Sequence, residues 1–219
     1  GGVVEAILVR EGTRVKAGDV LLRLNDKDIK AQLDIARGQH FVAQAMEARL
    51  LTERDELPVV VFPAGLVEAG KTDPRAAEAM QSQARLFTAR RAALSSELGT
   101  LDETITGFNN QITGLQSMQT GKKTQIDLIE KELASLRGLA EEGFVPRNKL
   151  YELERVLADL SGTRGGDLAQ IARAQAAINE TKLRKLQRRE DFRKEVETQM
   201  SETQREVGAR SEQLNALED

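Results

Sequence analysis

The residues with the most recognisable chemistry are Gly65-Leu66-Val67-Glu68-Ala69-Gly70-Lys71-Thr72, which match the phosphate-binding loop pattern GxxxxGK[ST]. A strand-like run, Val59-Val60-Val61-Phe62, precedes them, as it does in a nucleotide-binding loop. That chemistry needs backbone N–H groups around the phosphates and a helix starting at the Lys-Thr pair. Here Asp73-Pro74 follows at once, and proline turns the residue before it away from helical backbone. No parallel sheet or second acidic strand flanks the segment. It reads better as a glycine-containing linker, and the coiled-coil arm of a P-loop ATPase is the alternative from a different functional class.

Other candidates carry less. Lys182, Arg184, Lys185, Arg188, Arg189, Arg193 and Lys194 form a basic run, but Glu180, Glu190, Asp191 and Glu195 are interleaved and Phe192 is the only aromatic among them. Stacking of single-stranded nucleic acid needs more aromatic surface than that. A solvated helix face with i,i+4 ion pairs accounts for the pattern, and pairing between subunits is a further use of the same charges. His40 is the only histidine and the chain has no cysteine, so neither a thiolate metal site nor a His cluster can be built. No GxSxG or HExxH motif occurs, and nothing points to a pocket that would perturb the scattered carboxylates. The chain therefore reads as a non-enzyme without cofactors.

The elements that carry these residues are long helices. Of 219 residues, 31% are charged and 3% aromatic, and the formal net charge is -3. That balance gives no basic field for nucleic acid, and so few aromatics point to helices packed through narrow seams. No run approaches the roughly 18 apolar residues of a membrane span. The chain opens directly on strand-like sequence and reads as a piece of something longer.

Residues 1–25 hold three apolar runs, Val3-Val4, Ile7-Leu8-Val9 and Val20 to Leu24, with turns at Gly12 and Gly18-Asp19. Three short strands cannot bury a core alone. A first helix is expected over residues 26–57, capped by Asn25 or Asp26 and ended by Pro58. Residues 58–73 read as a linker. Asp73 then caps a helix over residues 74–142, with Pro74 at its first position.

From Ala84 to Ala140 apolar residues recur at alternating intervals of four and three: Ala84, Phe87, Leu94, Leu98, Leu101, Ile105, Phe108, Ile112, Leu115, Ile126, Ile129, Leu133, Leu136 and Ala140. Only Arg91, Gln119 and Lys122 interrupt the stripe, which is a left-handed coiled-coil signature. Glu142 to Pro146 break it, with Gly143 as C-cap and Pro146 as first residue of the next helix, so that residues 143–146 form the turn. Over residues 147–219 the stripe resumes at Leu150, Leu153, Leu157, Leu160, Ile171, Ala174 and Ile178, then at Leu186, Val196, Met200, Val207, Leu214 and Leu217. A register slip is expected between Ile178 and Leu186. The two long helices would span roughly 100 and 110 Å and pair as an antiparallel hairpin. The first helix, roughly 48 Å, and a linker reaching roughly 56 Å imply a three-helix base below a two-helix stalk. Folding near residue 144 sets Gly121 beside Gly165-Gly166, where glycines either permit close backbone approach, within the hairpin or between neighbouring subunits, or merely weaken the helix.

The segment GVVEAILVREGTRVKAGDVLLRLND resembles the first half of a biotinyl/lipoyl-type domain, and LRGLAEEGFVPRNKLYELERVLADLSG resembles the hairpin tip of haemolysin-D-type periplasmic adaptors. With a helical hairpin after the lipoyl-like half, the whole chain is similar to membrane fusion proteins of type I secretion systems, in the protease- and lipase-exporting branch. The resemblance implies a mostly α fold attached to half a lipoyl-type β module, in the periplasm and anchored in the inner membrane by a segment preceding Gly1. The rest of the lipoyl module and a β-barrel domain would follow Asp219. It implies an inner-membrane ABC transporter, a TolC-type outer-membrane channel and an exported protein substrate as partners, and assembly into a hexameric ring.

The resemblance also marks the tip as the docking surface: Leu139, Gly143, Phe144, Val145, Pro146 and Arg147. Efflux adaptors carry a tip pattern of Arg, three residues, Leu, six residues, Ser. Leu139 falls on its Leu, but Ser135 stands at the Arg position and Pro146 at the Ser. An adaptor for small-molecule efflux is the related alternative. Lys27 lies about one residue early for the modified lysine of a lipoyl or biotin carrier, and a helix follows where the carrier has a hairpin.

Overall fold

The computed structural model describes residues 4–24 and 27–218. In chain order the elements are β1 (Val4–Ile7), β2 (Leu22–Leu24), α1 (Lys27–Arg54), α2 (Ala64–Ala69), α3 (Pro74–Glu141) and α4 (Arg147–Glu218). The fold is mostly α, with a long hairpin of α3 and α4. The chain divides into two units, one of Gly1–Ala92 with Asp191–Asp219, the other of Ala93–Glu190.

In the first unit, β1 and β2 pair antiparallel with Val4 opposite Leu24 and Ile7 opposite Leu22. Gly12 and Gly18 take φ of 88° and 98°, backbone that glycine adopts at little cost. Among the described residues the expected three strands are two: β1 takes Val4 from the first apolar run and Ile7 from the second, with an irregular register between Val4 and Ala6. The expected caps of α1, Asn25 and Asp26, lie outside the described residues.

Helix α1 ends at Arg54, before the expected residue 57. Glu56 adopts a φ of 53°, and the Leu57 N–H donates to Thr52 O at 3.0 Å, which closes the helix ahead of Pro58. The segment expected to be a linker is partly ordered as α2. Its Leu66 is buried with Ala45 of α1 and Ala76 and Ala79 of α3. Val60 packs with Ala48 and Phe87, and residues 59–62 form no strand. On the other face of α1, Leu50 is buried with Val196 and Met200 of α4. Three long helices therefore share this core, as the helix lengths predict. Asp73 accepts the Arg75 N–H at 3.0 Å, a cap at the start of α3.

Charge is buried in the same unit. Arg49, 2% exposed, donates to both oxygens of Glu53 at 2.9 Å, to Gln83 at 2.8 Å and to Gln199 at 3.4 Å. Arg90 bridges Glu53 at 3.1 Å and Glu195 at 2.9 Å and sits over the Phe192 ring. Burial opposes the charge on Arg90, but the Glu195 and Glu53 carboxylates outweigh it and raise its pKa.

The seam of α3 follows the sequence pattern: from Ala84 to Ala140 every predicted position except Arg91 is buried or half-buried. Arg91 lies over Phe87 and donates to the Leu57 and Pro58 carbonyls in the segment that follows α1. On α4 the pattern needs correction. Leu186 is 59% exposed, and no register slip occurs where one was expected. After Ile178 the seam continues in step through Thr181, Lys185 and Arg188. Within the second unit, Lys185 pairs with Asp102 at 2.6 Å and Arg188 with Glu97, so a charge partner on α3 makes these polar seam positions tenable.

The Lys122–Asp167 pair at 2.7 Å sets Gly121 at the level of Gly165 and Gly166. A Cβ built on any of the three meets no atom within 4 Å. Close backbone approach within the hairpin is therefore not what these glycines provide.

Candidate functional site

The exposed feature of the second unit is the turn joining α3 to α4. The Gly143 N–H donates to Ala140 O at 3.2 Å and the Phe144 N–H to Leu139 O at 2.9 Å, the paired bonds of a Schellman motif. Gly143 carries the left-handed residue, with φ of 81°. The motif satisfies the last carbonyls of α3 and turns the chain within five residues. Lys149 N–H donates to Pro146 O at 3.1 Å, and α4 begins at Arg147, so Pro146 precedes the helix instead of standing inside it.

This turn brings all six predicted tip residues together. Phe144 is 75% exposed, Leu139 44%, and Gly143, Pro146 and Arg147 are exposed, while Val145 is half-buried. A Schellman turn commonly packs its Phe144-type residue against the Leu139-type residue. Here the ring stays in solvent, which leaves a large apolar side chain at the apex. Two arginines flank it: Arg147, and Arg137, which bridges Glu154 at 3.1 Å. Sequence reasoning missed Tyr151, 58% exposed one turn into α4 and lining a shallow groove with Asn148, Glu154, Arg155 and Ala158. Its being the only tyrosine of an aromatic-poor chain was the available signal. Among the described residues no group of three or more acidic or histidine side chains could hold a metal ion. The arrangement is suited to apolar contact with a partner surface.

The sequence model of the AprE long α-helical hairpin matches residues 29–219. The chain belongs to that family. It is 35% identical to the alkaline protease secretion protein AprE of Pseudomonas aeruginosa, over 96% of this chain and 48% of that protein. It is 32% identical to the type I secretion system membrane fusion protein PrsE of Rhizobium meliloti, over 100% of this chain and 50% of that protein. The chain thus spans about half the length of the curated relatives it matches. The solved soluble domain of LipC, a membrane fusion protein of a type I secretion system, superposes with a TM-score of 0.88 at 34% identity, over 99% of this chain and 81% of that one. The periplasmic adaptor EmrA shares the fold alone, with a TM-score of 0.52 at 16% identity over 99% of this chain and 57% of that one.

In this AprE-type hairpin the phosphate-loop match has no phosphate-binding geometry. Its first residues are wound into α2, and the N–H groups of Val67, Gly70, Lys71 and Thr72 donate to the carbonyls of Pro63, Leu66, Glu68 and Ala69. A Cβ on Gly70 would meet Met80 Cε at 2.6 Å, the far end of a flexible side chain packed against this segment. Lys71 pairs with Glu68 at 2.5 Å. Lys27 begins α1 and its side chain is exposed. His40 is half-buried with its Nδ1 lacking a hydrogen-bond partner, and burial lowers its pKa. Among the described residues no helix is long and apolar enough to cross a membrane.

Proposed function

We propose that this chain is the hairpin portion of a periplasmic adaptor for one-step protein export by a type I secretion system. It would bridge an inner-membrane ABC transporter to a TolC-type outer-membrane channel, assembled as a hexameric ring around the exported protein and anchored in the inner membrane. The role is mechanical and not enzymatic. The zipped seam makes the 49 residues from Ala93 to Glu141 a spacer of roughly 70 Å. The apex made of Leu139, Gly143, Phe144, Val145, Pro146 and Arg147 docks the channel.

The observation that carries the reading is the solvent-exposed Phe144 ring on a turn closed by paired backbone hydrogen bonds. Burying such a ring against a partner's helical ends is favourable by roughly 1.5–3 kcal/mol, which makes it an anchor. The names of the relatives at 32–35% identity favour protein export over small-molecule efflux. The winding of residues 65–69 into α2 argues against the ATPase reading, and an ATP titration should find no binding.

The test places Phe144→Asp and Leu139→Asp in the full-length adaptor and measures export of the cognate substrate. Both variants should lose secretion while far-UV circular dichroism stays at the wild-type level. Wild-type export from both would remove the docking role.

A further inference from the structure

Midway along the second unit the seam changes character. Above this level it is apolar, with Ile126, Ile129 and Leu133 on α3 and Leu157 and Leu160 on α4. Below it are Ile112 and Leu115 on α3, and Ile171 and Ala174 on α4. Between them the seam positions are Gln119 and Lys122 on one helix and Arg164 and Asp167 on the other. Lys122 and Asp167 satisfy each other at 2.7 Å, but Gln119 Nε2 and Arg164 Nε are buried without a hydrogen-bond partner. A buried donor left unmet destabilises the closed packing and is relieved when water enters.

Gly121, Gly165 and Gly166 lie at this same level. A polar layer alone would serve to pin register. Glycine contributes nothing to register, and open space around all three positions removes packing within the chain as their reason. Within the chain, their effect is to weaken both helices at the level of this polar layer.

We propose that this layer is a built-in bending point, at which the distal part of the hairpin tilts while the apolar seams on either side stay zipped. It acts apart from the docking chemistry of the tip: it lets a tip on a stiff stalk change direction by local opening of a few turns.

Amide hydrogen exchange and spin-label distances test this. In the wild-type chain, amides of residues 117–124 and 161–169 should exchange faster than those of 126–133 and 171–178. Gly→Ala at positions 121, 165 and 166 adds only a Cβ into open space, so the variants fold. Each should slow exchange in the layer by about five-fold, and the triple variant by about 100-fold. Gly99→Ala, outside the layer, should leave it unchanged. Because the chain has no cysteine, Thr106→Cys with Glu132→Cys gives one label pair about 39 Å apart across the layer. Its distance distribution should be broad in the wild type and narrow in the triple variant. Equal protection of layer and flanking turns in the wild type would overturn the proposal. So would unchanged exchange and distance width in the triple variant. Unchanged exchange with loss of self-association would replace it by close packing between copies.

Discussion

Substituting Glu53 probes how the three helices of the first unit are held. Its side chain is 3% exposed and accepts from both Arg49 and Arg90. Glutamine keeps the shape, so packing is unchanged, but it leaves Arg49 buried with its charge uncompensated. Removing one partner of a buried pair costs about 3–5 kcal/mol. The low end is expected for Glu53→Gln, because Gln83 and Gln199 still accept from Arg49. The high end is expected for Glu53→Ala. Replacing both partners, Arg49→Met with Glu53→Leu, removes the desolvation cost along with the attraction and should lie within about 1 kcal/mol of wild type. Arg90 survives the double change because Glu195 still pairs with it. Urea unfolding followed by circular dichroism gives the four stabilities on one scale. Single variants as stable as wild type, or a double variant worse than either single, would refute the reasoning.

Ile178→Ala should cost about 2–5 kcal/mol, whereas Leu186→Ala should stay within about 0.5 kcal/mol, since one lies in the seam and the other in solvent; urea midpoints compare them directly. Gly143→Ala should destabilise the turn by about 1–2 kcal/mol because its φ of 81° is left-handed, and Gly143→Asn by less, read from the same melts. Burial lowers the His40 pKa below 6.5, so the unfolded chain binds that proton more readily. Stability should therefore fall as pH drops below 6.5, and His40→Gln should flatten that part of the urea-midpoint profile.

The resemblance of the lipoyl-like start and the tip segment led to the family, and the tip was legible for a local reason. Gly143 before an apolar pair ends one helix, and Pro146 sits at the start of another. Whether Phe144 folds back onto Leu139 or stays in solvent depends on the turn's three-dimensional course, as does the exposure of Tyr151. The segment 58–73 misled because prolines and glycines mark breaks but do not say what lies between them. Leu66 gains burial only when α1 and α3 are both beside it, and that contact stabilises α2.

Alternation of four and three is a property of one helix, so the sequence alone determined which face of α3 turns inward, where the hairpin bends and that the chain is chiefly helical. The face of α4 beyond Ile178 was decided elsewhere. Lys185 and Arg188 are inward because Asp102 and Glu97 wait on the opposite helix, some ninety residues away in the chain. Pairing over that distance exists only after the helices have zipped together, which is why an exposed leucine and two inward cations could be distinguished only by the tertiary structure.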